Sequence, residues 1–225
     1  MIFSMKKHLL IFSLFSLILF PIEASEDIID KDSLSETFYE SGQLQKRGNT
    51  KDGKQEGLWE VFYESGKLQA RGEYKEGKLD GLSESYYENG QLESRENYKN
   101  GISDGLQEGF YDNGQLRAKG NTKDGKQEGL WEVFFENGKL LVRGDYKDGK
   151  LDGLSESYYE NGQLHIRWNS KAGKQFGPSE SYYENGQLET RGNIKNGKPD
   201  GLFEYFYEDG KELRKEEYKE GVLVE

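Results

Sequence analysis

The 225-residue sequence contains no cysteine, only 3 prolines and only 2 histidines. Without cysteine the chain cannot form a disulfide, attack a substrate with a thiolate or bind a metal through a thiolate. It is also poor in hydrophobic residues, which make up 33%, and its formal net charge is -11. This combination leaves too little apolar surface for a thick two-sided core, and it is typical of disordered chains.

Aromatic residues and glycine, by contrast, are abundant. The sequence has 15 tyrosines, 12 phenylalanines and 3 tryptophans, and it has 29 glycines. Disordered chains are poor in aromatic side chains, because each of these side chains buries a large apolar area when it packs. We therefore expect a folded structure whose core is only one layer thick.

Residues 1–24 have the organisation of a secretory signal peptide. Lys6 and Lys7 precede a stretch of apolar residues and serines at positions 9–20, and small residues follow around Ala24. The stretch is short for a helix that must span about 30 Å of hydrocarbon. We predict cleavage after Ala24, a linker over residues 25–32, and export to the periplasm, the cell surface or the medium. An uncleaved N-terminal anchor is the alternative interpretation.

The charge balance bears on the choice of partner. Residues 1–24 contain two lysines and one glutamate, so their removal changes the net charge from -11 to -12. A surface this acidic repels the phosphates of nucleic acids and the headgroups of anionic lipids. We therefore expect neither a nucleic acid nor a membrane surface as a partner.

The sequence after residue 32 is built from one repeated unit. A turn glycine in a Tyr-Glu-Ser-Gly or Tyr-Glu-Asn-Gly motif, or a close variant, recurs at constant spacing: Gly42, Gly66, Gly90, Gly114, Gly138, Gly162, Gly186 and Gly210. A second glycine, two positions after a lysine, recurs at the same spacing: Gly53, Gly77, Gly101, Gly125, Gly149, Gly173, Gly197 and Gly221. Eight units without insertion therefore fill residues 33–224. A longer period of three units is superimposed, since residues 51–67 recur nearly unchanged at 123–139.

Each unit contains two stretches that are typical of β-strands and two turns. In the unit over residues 57–80, positions 58–63 are rich in aromatic and branched side chains, and positions 67–74 form the return stretch. Glycine in each turn supplies the positive φ that a hairpin needs, and the two turns leave no window for a helix of usual length. The sequence therefore predicts an all-β fold, an elongated single-layer antiparallel sheet of eight stacked 24-residue β-hairpin repeats.

The turn chemistry also predicts a strand register. If each turn is a three-residue loop with its glycine in a bulge, Phe62 lies opposite Leu68. Leu58, Ala70 and Tyr74 then share the face of Phe62, which becomes the apolar face. A slip of one residue would exchange the two faces.

The same register predicts aromatic side chains among charges on the other face. Tyr63 lies there near Arg71. Trp59 lies opposite Arg71 and Trp131 lies opposite Arg143, and such pairs are suited to cation–π contacts of about 0.5–1 kcal/mol. We therefore expect this face to present aromatic rings beside guanidinium groups.

The repeat resembles the MORN-repeat family, and within it the variant labelled the YwqK-type antitoxin family. The resemblance is carried by Tyr-Glu-Asn-Gly-Gln-Leu at residues 87–92, by Lys-Glu-Gly-Lys-Leu-Asp-Gly at residues 75–81, and by their copies over residues 33–224. It implies an elongated single-layer antiparallel sheet of stacked hairpins. In eukaryotic relatives it implies membrane-proximal scaffolding and phospholipid contact, whereas in bacteria the antitoxin label implies a protein partner.

One departure from the family pattern affects what can be carried over. The usual motif has histidine before the glycine that follows the second turn, and this chain has other residues there: Asp80, Asp104, Glu128, Asp152, Phe176 and Asp200. Acidic side chains at this position weaken the carry-over of lipid binding. The predicted export segment also fits poorly with a cytoplasmic toxin–antitoxin pair.

Residues suited to acid–base or nucleophilic catalysis are few. His165 is the only histidine outside the predicted signal peptide, and it lies at the most variable position of the unit. We interpret it as a surface residue and not as a catalytic base. The sixth unit breaks the repeat pattern with Trp168 in place of a glycine, followed by Phe176 and Pro178. A local ligand or partner contact is an open interpretation of that break.

Carboxylates recur in a column with one glutamate in each unit: Glu60, Glu84, Glu108, Glu132, Glu156, Glu180 and Glu204. A divalent-cation ladder or a paired-carboxylate glycosidase would use such residues. Equivalent residues in successive units are two strands apart, about 9.5 Å, which is too far to share one ion. We therefore predict no catalytic residue, no metal site and no cofactor. The column is instead expected to be solvated and balanced by basic residues: Arg71, Arg95, Lys119, Arg143, Arg167 and Arg191.

Together these features predict a non-enzymatic exported repeat protein that acts as a protein-binding or scaffolding surface. The alternatives are an antitoxin that binds and neutralises a toxin, and an enzyme acting on cell-wall glycans through Glu156 or Glu180. The apolar face, partly open to water, also offers a surface for self-association. Aromatic residues are favoured at binding surfaces, and they supply the candidate binding residues: Tyr63, Tyr87, Tyr111, Tyr159, Tyr183, Trp59, Trp131 and Trp168.

Overall fold

The computed structural model describes residues 32–224, so the predicted signal peptide and nearly all of the predicted linker lie outside the described residues. Every regular element within this range is a β-strand, and no helix there is long and apolar enough to cross a membrane. In chain order the strands are β1 Asp32–Phe38, β2 Leu44–Lys51, β3 Lys54–Phe62, β4 Leu68–Lys75, β5 Lys78–Tyr86, β6 Leu92–Lys99, β7 Ile102–Phe110, β8 Leu116–Lys123, β9 Lys126–Phe134, β10 Leu140–Lys147, β11 Lys150–Tyr158, β12 Leu164–Lys171, β13 Lys174–Tyr182, β14 Leu188–Lys195, β15 Lys198–Pro199, β16 Gly201–Phe206, β17 Glu212–Lys219 and β18 Val222–Leu223.

The strands form one open antiparallel sheet in which each strand pairs with its neighbours in sequence. β3, for example, pairs with β2 on one side and with β4 on the other. β15 and β16 share one position in the sheet, because both pair with β14 and only Asp200 separates them. The predicted fold class, an all-β antiparallel sheet of 24-residue hairpin repeats, is confirmed.

The first turn of each unit is the predicted three-residue loop with a glycine bulge. In the turn after β3, the Tyr63 N–H donates to the Lys67 carbonyl over 2.8 Å, and the Gly66 N–H donates to the Tyr63 carbonyl over 2.8 Å. Gly66 has φ 81, a conformation that glycine adopts without a steric penalty. Phe62 lies opposite Leu68, as predicted.

The second turn is shorter than predicted. Lys75 lies directly opposite Lys78, so the loop contains only Glu76 and Gly77, with φ 50 and φ 80. Two central residues with positive φ define a type I′ turn, whose twist matches that of the flanking strands. The prediction of a three-residue loop was therefore wrong for this turn. The residues other than glycine that have positive φ in the described range all take the first position of this turn: Asp52, Glu76, Asn100, Asp124, Asp148, Ala172, Asn196 and Glu220.

A second bulge beside the first turn changes which residues share a face. Phe62 lies opposite Leu68, but Val61 lies opposite Ala70, so Gln69 is an extra residue in β4. One extra residue moves everything beyond it to the other face. Ala70 therefore faces the same side as Val61, and the predicted common face of Leu58, Phe62, Ala70 and Tyr74 was wrong.

The predicted tryptophan–arginine pairs were wrong for the same reason. Trp59 lies opposite Gly72, and Arg71 lies opposite Glu60. In the second copy, Trp131 lies opposite Gly144. The cation nearest the Trp59 ring comes from the preceding strand, where the Lys46 amine lies 4.6 Å from the ring centroid.

The corrected register defines two faces with different chemistry, because directly opposite residues of an antiparallel pair project from the same side. We call the first the tryptophan face, which is made of residues equivalent to Trp59, Val61, Ala70 and Gly72. The second is the ladder face, which is made of residues equivalent to Leu58, Glu60, Phe62, Leu68 and Arg71.

The core lies on the tryptophan face and consists of rings lying against glycine backbone. The side chain of Trp131 is 1% exposed, and a Cβ atom placed on Gly120 of the preceding strand would overlap its indole ring. The Trp131 indole N–H donates to the Asn121 carbonyl over 3.0 Å, so burial leaves no polar atom of this ring without a partner. Trp59 repeats this arrangement against Gly48.

Trp168, the break in the sixth unit, fits the same core with the roles exchanged. It takes the position that glycine holds in most other units, and the residues opposite it on either side are Ser155 and Ser179. Small side chains there leave room for the ring, which is buried. The packing within the sheet therefore accounts for this departure from the repeat.

Candidate functional site

The five tyrosines predicted to bind a partner lie at the first turn of their units, where their hydroxyls donate to backbone. The Tyr63 hydroxyl donates to the Tyr86 carbonyl over 2.7 Å, and the Tyr87 hydroxyl donates to the Phe110 carbonyl over 2.8 Å. The same bond, to the carbonyl 23 residues further on, is made by Tyr111, Tyr159 and Tyr183. Burial raises the pKa of all five hydroxyls. These side chains tie each hairpin to the next, and their role in binding a partner stays a prediction.

The fifth unit provides a natural test of these bonds, because Phe135 stands where the others have tyrosine. We expect Phe135→Tyr to raise the free energy of unfolding by about 0.5–1.5 kcal/mol, through a new hydrogen bond to the Tyr158 carbonyl. Tyr111→Phe should lower it by a similar amount, since that variant removes the bond to the Phe134 carbonyl. Urea unfolding of the two variants beside the wild type measures both changes. Equal stability of all three proteins would contradict a structural role for the hydroxyls.

The three tryptophans among the predicted binding residues belong to the core. Trp59, Trp131 and Trp168 are all buried on the tryptophan face, packed against glycine or serine of adjacent strands. A ring that is almost fully covered within its own sheet has little area left for a partner. We therefore leave these three residues out of the candidate surface.

The predicted carboxylate column is one half of a continuous charge ladder. One residue from each strand position contributes to it, and acidic and basic side chains alternate without interruption across the described sheet. In order across the sheet they are Glu36, Arg47, Glu60, Arg71, Glu84, Arg95, Glu108, Lys119, Glu132, Arg143, Glu156, Arg167, Glu180, Arg191, Glu204 and Lys215. The predicted charge balance of the column is confirmed, but the expectation that the column is solvated was wrong at Glu84 and Glu156, which are buried.

Two glutamates of the ladder are buried and fully paired. The Glu156 carboxylate, 2% exposed, accepts hydrogen bonds from Arg143 over 2.7 Å, from Arg167 over 2.8 Å and from the Tyr158 hydroxyl over 2.8 Å. Burial by itself would raise the pKa of this carboxyl, but the three donors outweigh burial and hold the pKa below its ordinary value. Glu84, at the same position three units earlier, has the corresponding set of donors.

An exposed row of leucines runs beside the ladder on the same face. Leu58 lies opposite Glu73, Leu106 lies opposite Asn121, and Leu130 lies opposite Asp145. Short or charged partners cannot cover these side chains, which are between 38% and 63% exposed where they are most open. Their spacing is two strands, or about 9.6 Å. We call this row the leucine stripe, and its members are Leu34, Leu58, Leu82, Leu106, Leu130, Leu154 and Leu202.

A half-buried aromatic row lies on the opposite side of the ladder, next to the first turns. Phe62 packs beside Leu68 in the adjacent strand, and the Arg47 guanidinium lies 5.3 Å from the centroid of the Phe62 ring. Lys119 lies over Phe134 in the same manner, at 5.8 Å. The ladder face thus presents three parallel rows, which are leucine, alternating charge and aromatic.

Sequence reasoning did not identify the leucine stripe. A leucine follows glycine at the same position in most units, and this recurrence was visible in the sequence. The predicted register placed Leu58 with the packed apolar residues, however, so an exposed row was not expected. His165 is the extra residue of the bulge in its unit, and its ring centroid lies 4.3 Å from that of Tyr159. No group of three or more acidic or histidine side chains in the described part of the chain is arranged to hold a metal ion.

Comparison with known proteins links the chain to one repeat family. The family model described as the MORN repeat variant matches eight consecutive segments, at residues 31–52, 55–76, 79–100, 103–124, 127–148, 151–172, 177–196 and 199–222. No curated protein sequence matches the chain. The crystal structure of TcdB2-TccC3 is a match at 11% identity with a TM-score of 0.18, over 85% of this chain and 14% of that chain. This chain therefore spans a small part of that protein's length, and so low a TM-score supports no structural or functional argument.

Proposed function

The chain belongs to the MORN repeat variant family, and from this premise we propose that it is an exported, non-enzymatic binding protein whose ladder face receives a protein partner. The observation that carries the proposal is the leucine stripe. Large apolar side chains that stay exposed in a row along one face are typical of interaction surfaces. The neighbouring rows supply the charged and aromatic groups that such surfaces combine with apolar contacts.

The balanced charges of the ladder suit a protein partner better than a partner with a strong charge of one sign. The whole chain has a net charge of -11, whereas the ladder contains equal numbers of acidic and basic side chains, most of them already paired. A balanced surface within an acidic protein can approach an acidic or a basic partner without strong repulsion. Such a face selects its partner by shape and apolar contact.

The state of the two buried glutamates of the ladder, Glu84 and Glu156, supports a non-enzymatic role for the ladder. A glycosidase that uses paired carboxylates needs one of them protonated, with a raised pKa, to act as the acid. Glu84 and Glu156 have lowered pKa values, because their hydrogen-bond donors outweigh the effect of burial. Each of them also carries two arginine partners, which occupy the lone pairs that a substrate would need.

The leucine stripe gives the proposal a direct test. We expect the double variant Leu106→Ser and Leu130→Ser to weaken capture of the partner from native extract by about tenfold or more, since each buried leucine contributes about 1.5–3 kcal/mol. The proteins captured by the wild type are identified by mass spectrometry. The measurement is the set of proteins that the wild type captures and the Leu106→Ser, Leu130→Ser variant does not.

The matched control replaces exposed apolar residues off the stripe. Ile102→Ser with Val222→Ser removes side chains that are more exposed than Leu106 and Leu130, without changing the charge. This control should retain every partner, and thermal unfolding should show that both variants remain folded. Equal capture by the stripe variant and the wild type would refute the proposed surface.

The antitoxin role is the alternative that the family resemblance offers. It also requires a protein partner, but it requires that partner in the cytoplasm. The location of a tagged full-length copy separates the two: a processed, exported protein supports the leading proposal, and an intact cytoplasmic protein supports the antitoxin.

A further inference from the structure

The described sheet has one edge that no strand among residues 32–224 covers and one edge that such a strand covers only in part. At one edge, β1 pairs only with β2. At the other, β17 pairs with β16 along its inner side, but on its outer side only Tyr218 and Lys219 pair with β18. Unpaired N–H and C=O groups along a strand are a template for a strand from another chain.

Among the described residues, the outer edge of β17 is paired with another strand only at Tyr218 and Lys219. β18 contains only Val222 and Leu223, whereas the corresponding strand of an internal unit, such as β3, has nine residues. Two separate strands can share one edge of a neighbouring strand in this sheet. Along the edge of β14 that faces β15 and β16, β15 supplies two residues and β16 supplies six. β18 corresponds to β15, and β1 corresponds to β16 by the repeat, since Phe38 and Phe206 hold the same position seven units apart.

The charge ladder is complementary at the two edges. It begins with Glu36 in β1 and ends with Lys215 in β17. β1 of a second copy, placed on β17 in the register that β3 has on β2, would set Glu36 opposite Lys215. The corresponding internal pair is Glu60 opposite Arg47, which forms an ion pair at 2.6 Å. The alternation of charge would then continue from one copy into the next.

Tyr207 supplies an independent observation. The turn tyrosines before it donate their hydroxyls to a carbonyl 23 residues further on, as Tyr183 does to Phe206 over 2.8 Å. Counting on by the repeat, the position that would accept from Tyr207 corresponds to the Phe38 carbonyl of a second copy. Tyr207 is 52% exposed, while the five predicted tyrosines are half-buried.

We propose that this protein associates head to tail with copies of itself, β1 of one copy adding to the outer edge of β17 of the next. The contact joins two different surfaces, so it does not close on itself in a pair, and it generates open chains of copies. Asp32 and Val224 fall on the same position of the repeat, and the Val224 N–H already donates to the Glu217 carbonyl over 2.8 Å, so Asp32 of the second copy would leave the sheet at each junction. The inference rests on the repeat register and leaves the ladder face of every copy open.

Two charge-reversal variants, measured separately and then mixed, test the proposal. The purified wild-type protein should form oligomers that lengthen with concentration in sedimentation velocity. Glu36→Lys and Lys215→Glu should each weaken this association by about tenfold or more, since each places like charges at the junction. An equimolar mixture of the two variants should recover it, because every junction between unlike copies again joins an acid and a base.

A designed cross-link distinguishes this contact from any other self-association. Ser35 of one copy should lie opposite Glu216 of the next, as Trp59 lies opposite Gly48, and the natural chain has no cysteine to interfere. A single protein carrying Ser35→Cys and Glu216→Cys should form a covalent series of oligomers on oxidation. Ser35→Cys alone should form dimers at most. A wild type that stays monomeric, a mixture that does not recover association, or a double-cysteine protein that stops at dimers would overturn the proposal.

Discussion

Gly120→Ala will lower the free energy of unfolding by about 2–4 kcal/mol, although alanine is one of the smallest changes possible. The added Cβ would overlap the ring of Trp131, the most buried large side chain of the described sheet. Gly120 does not have the positive φ of the turn glycines, so the backbone itself accepts alanine. The cost therefore arises from displacing the indole.

A double-mutant cycle shows whether the ring is the cause. Trp131→Ala should cost about 3–5 kcal/mol by itself, through lost burial and the cavity left behind. With the ring gone, adding Gly120→Ala should cost little more, and the two changes should be strongly non-additive. Simple addition of the two costs would contradict the packing described above.

Gly72→Ala is the matched control, because it lies in the same row of the tryptophan face. Its Cβ would meet the Leu79 Cδ2 atom at 2.7 Å, at the end of a flexible side chain that can move aside. We expect it to cost clearly less than Gly120→Ala. Chemical denaturation of the single variants and the double variant measures all of these differences.

Glu156→Gln should lower the free energy of unfolding at neutral pH by about 1–3 kcal/mol. The variant keeps the size of the side chain but replaces the carboxylate that accepts hydrogen bonds from Arg143, Arg167 and Tyr158 with a neutral amide. Hydrogen bonds to a charged group are stronger than those to a neutral group. The estimate is at the lower end for a buried ion pair, because both arginines are partly exposed to water.

The effect should depend on pH in one direction. The pKa of Glu156 is lower in the fold than its ordinary value of 4.5, so its contribution is complete above that value and is lost as the pH falls below it. The difference in stability between the wild type and the variant should therefore shrink in acid. A difference that stays constant from neutral to acid pH would contradict the role assigned to this carboxylate.

Glu108→Gln is the control within the same ladder. The ion pair of Glu108 is a single 3.5 Å contact from Arg95, so its replacement should change stability by less than about 1 kcal/mol. Denaturant unfolding of both variants over the same pH range compares a buried, fully paired glutamate with a loosely paired one.

The sequence was sufficient to predict the repeat, the strands and the first turn. Strict spacing of the turn glycines fixed where each hairpin bends, and the opposition of Phe62 to Leu68 followed from the loop length. The balance of the carboxylate column was also predictable, because acidic and basic residues recur at matching places in every unit. The type I′ geometry of the second turn was missed, although Asp-Gly and Asn-Gly are its preferred residues.

The assignment of faces failed at one residue. Gln69 bulges out of β4, and a bulge has no residue type that marks it in the sequence. A signal was nevertheless present: this position is the most variable in the unit, with Glu93, Arg117, Leu141 and His165 in other copies. A residue with no partner across the strand is free to vary. A register without this bulge puts the tryptophans among charges and Leu58 among the packed apolar residues, so it does not reveal the leucine stripe.

The hydrogen bonds of the turn tyrosines all point in one direction along the chain, from each hairpin to the following one. The turn tyrosines from Tyr39 to Tyr183 each donate to a carbonyl that lies 23 residues later in the chain. As a chain is made or threaded from its N-terminus, a hairpin is left incomplete until the following one has arrived to accept its hydroxyl. In the folded sheet, the hairpin at the C-terminal end of any such series therefore lacks the hydroxyl bond to a following hairpin that each earlier tyrosine makes.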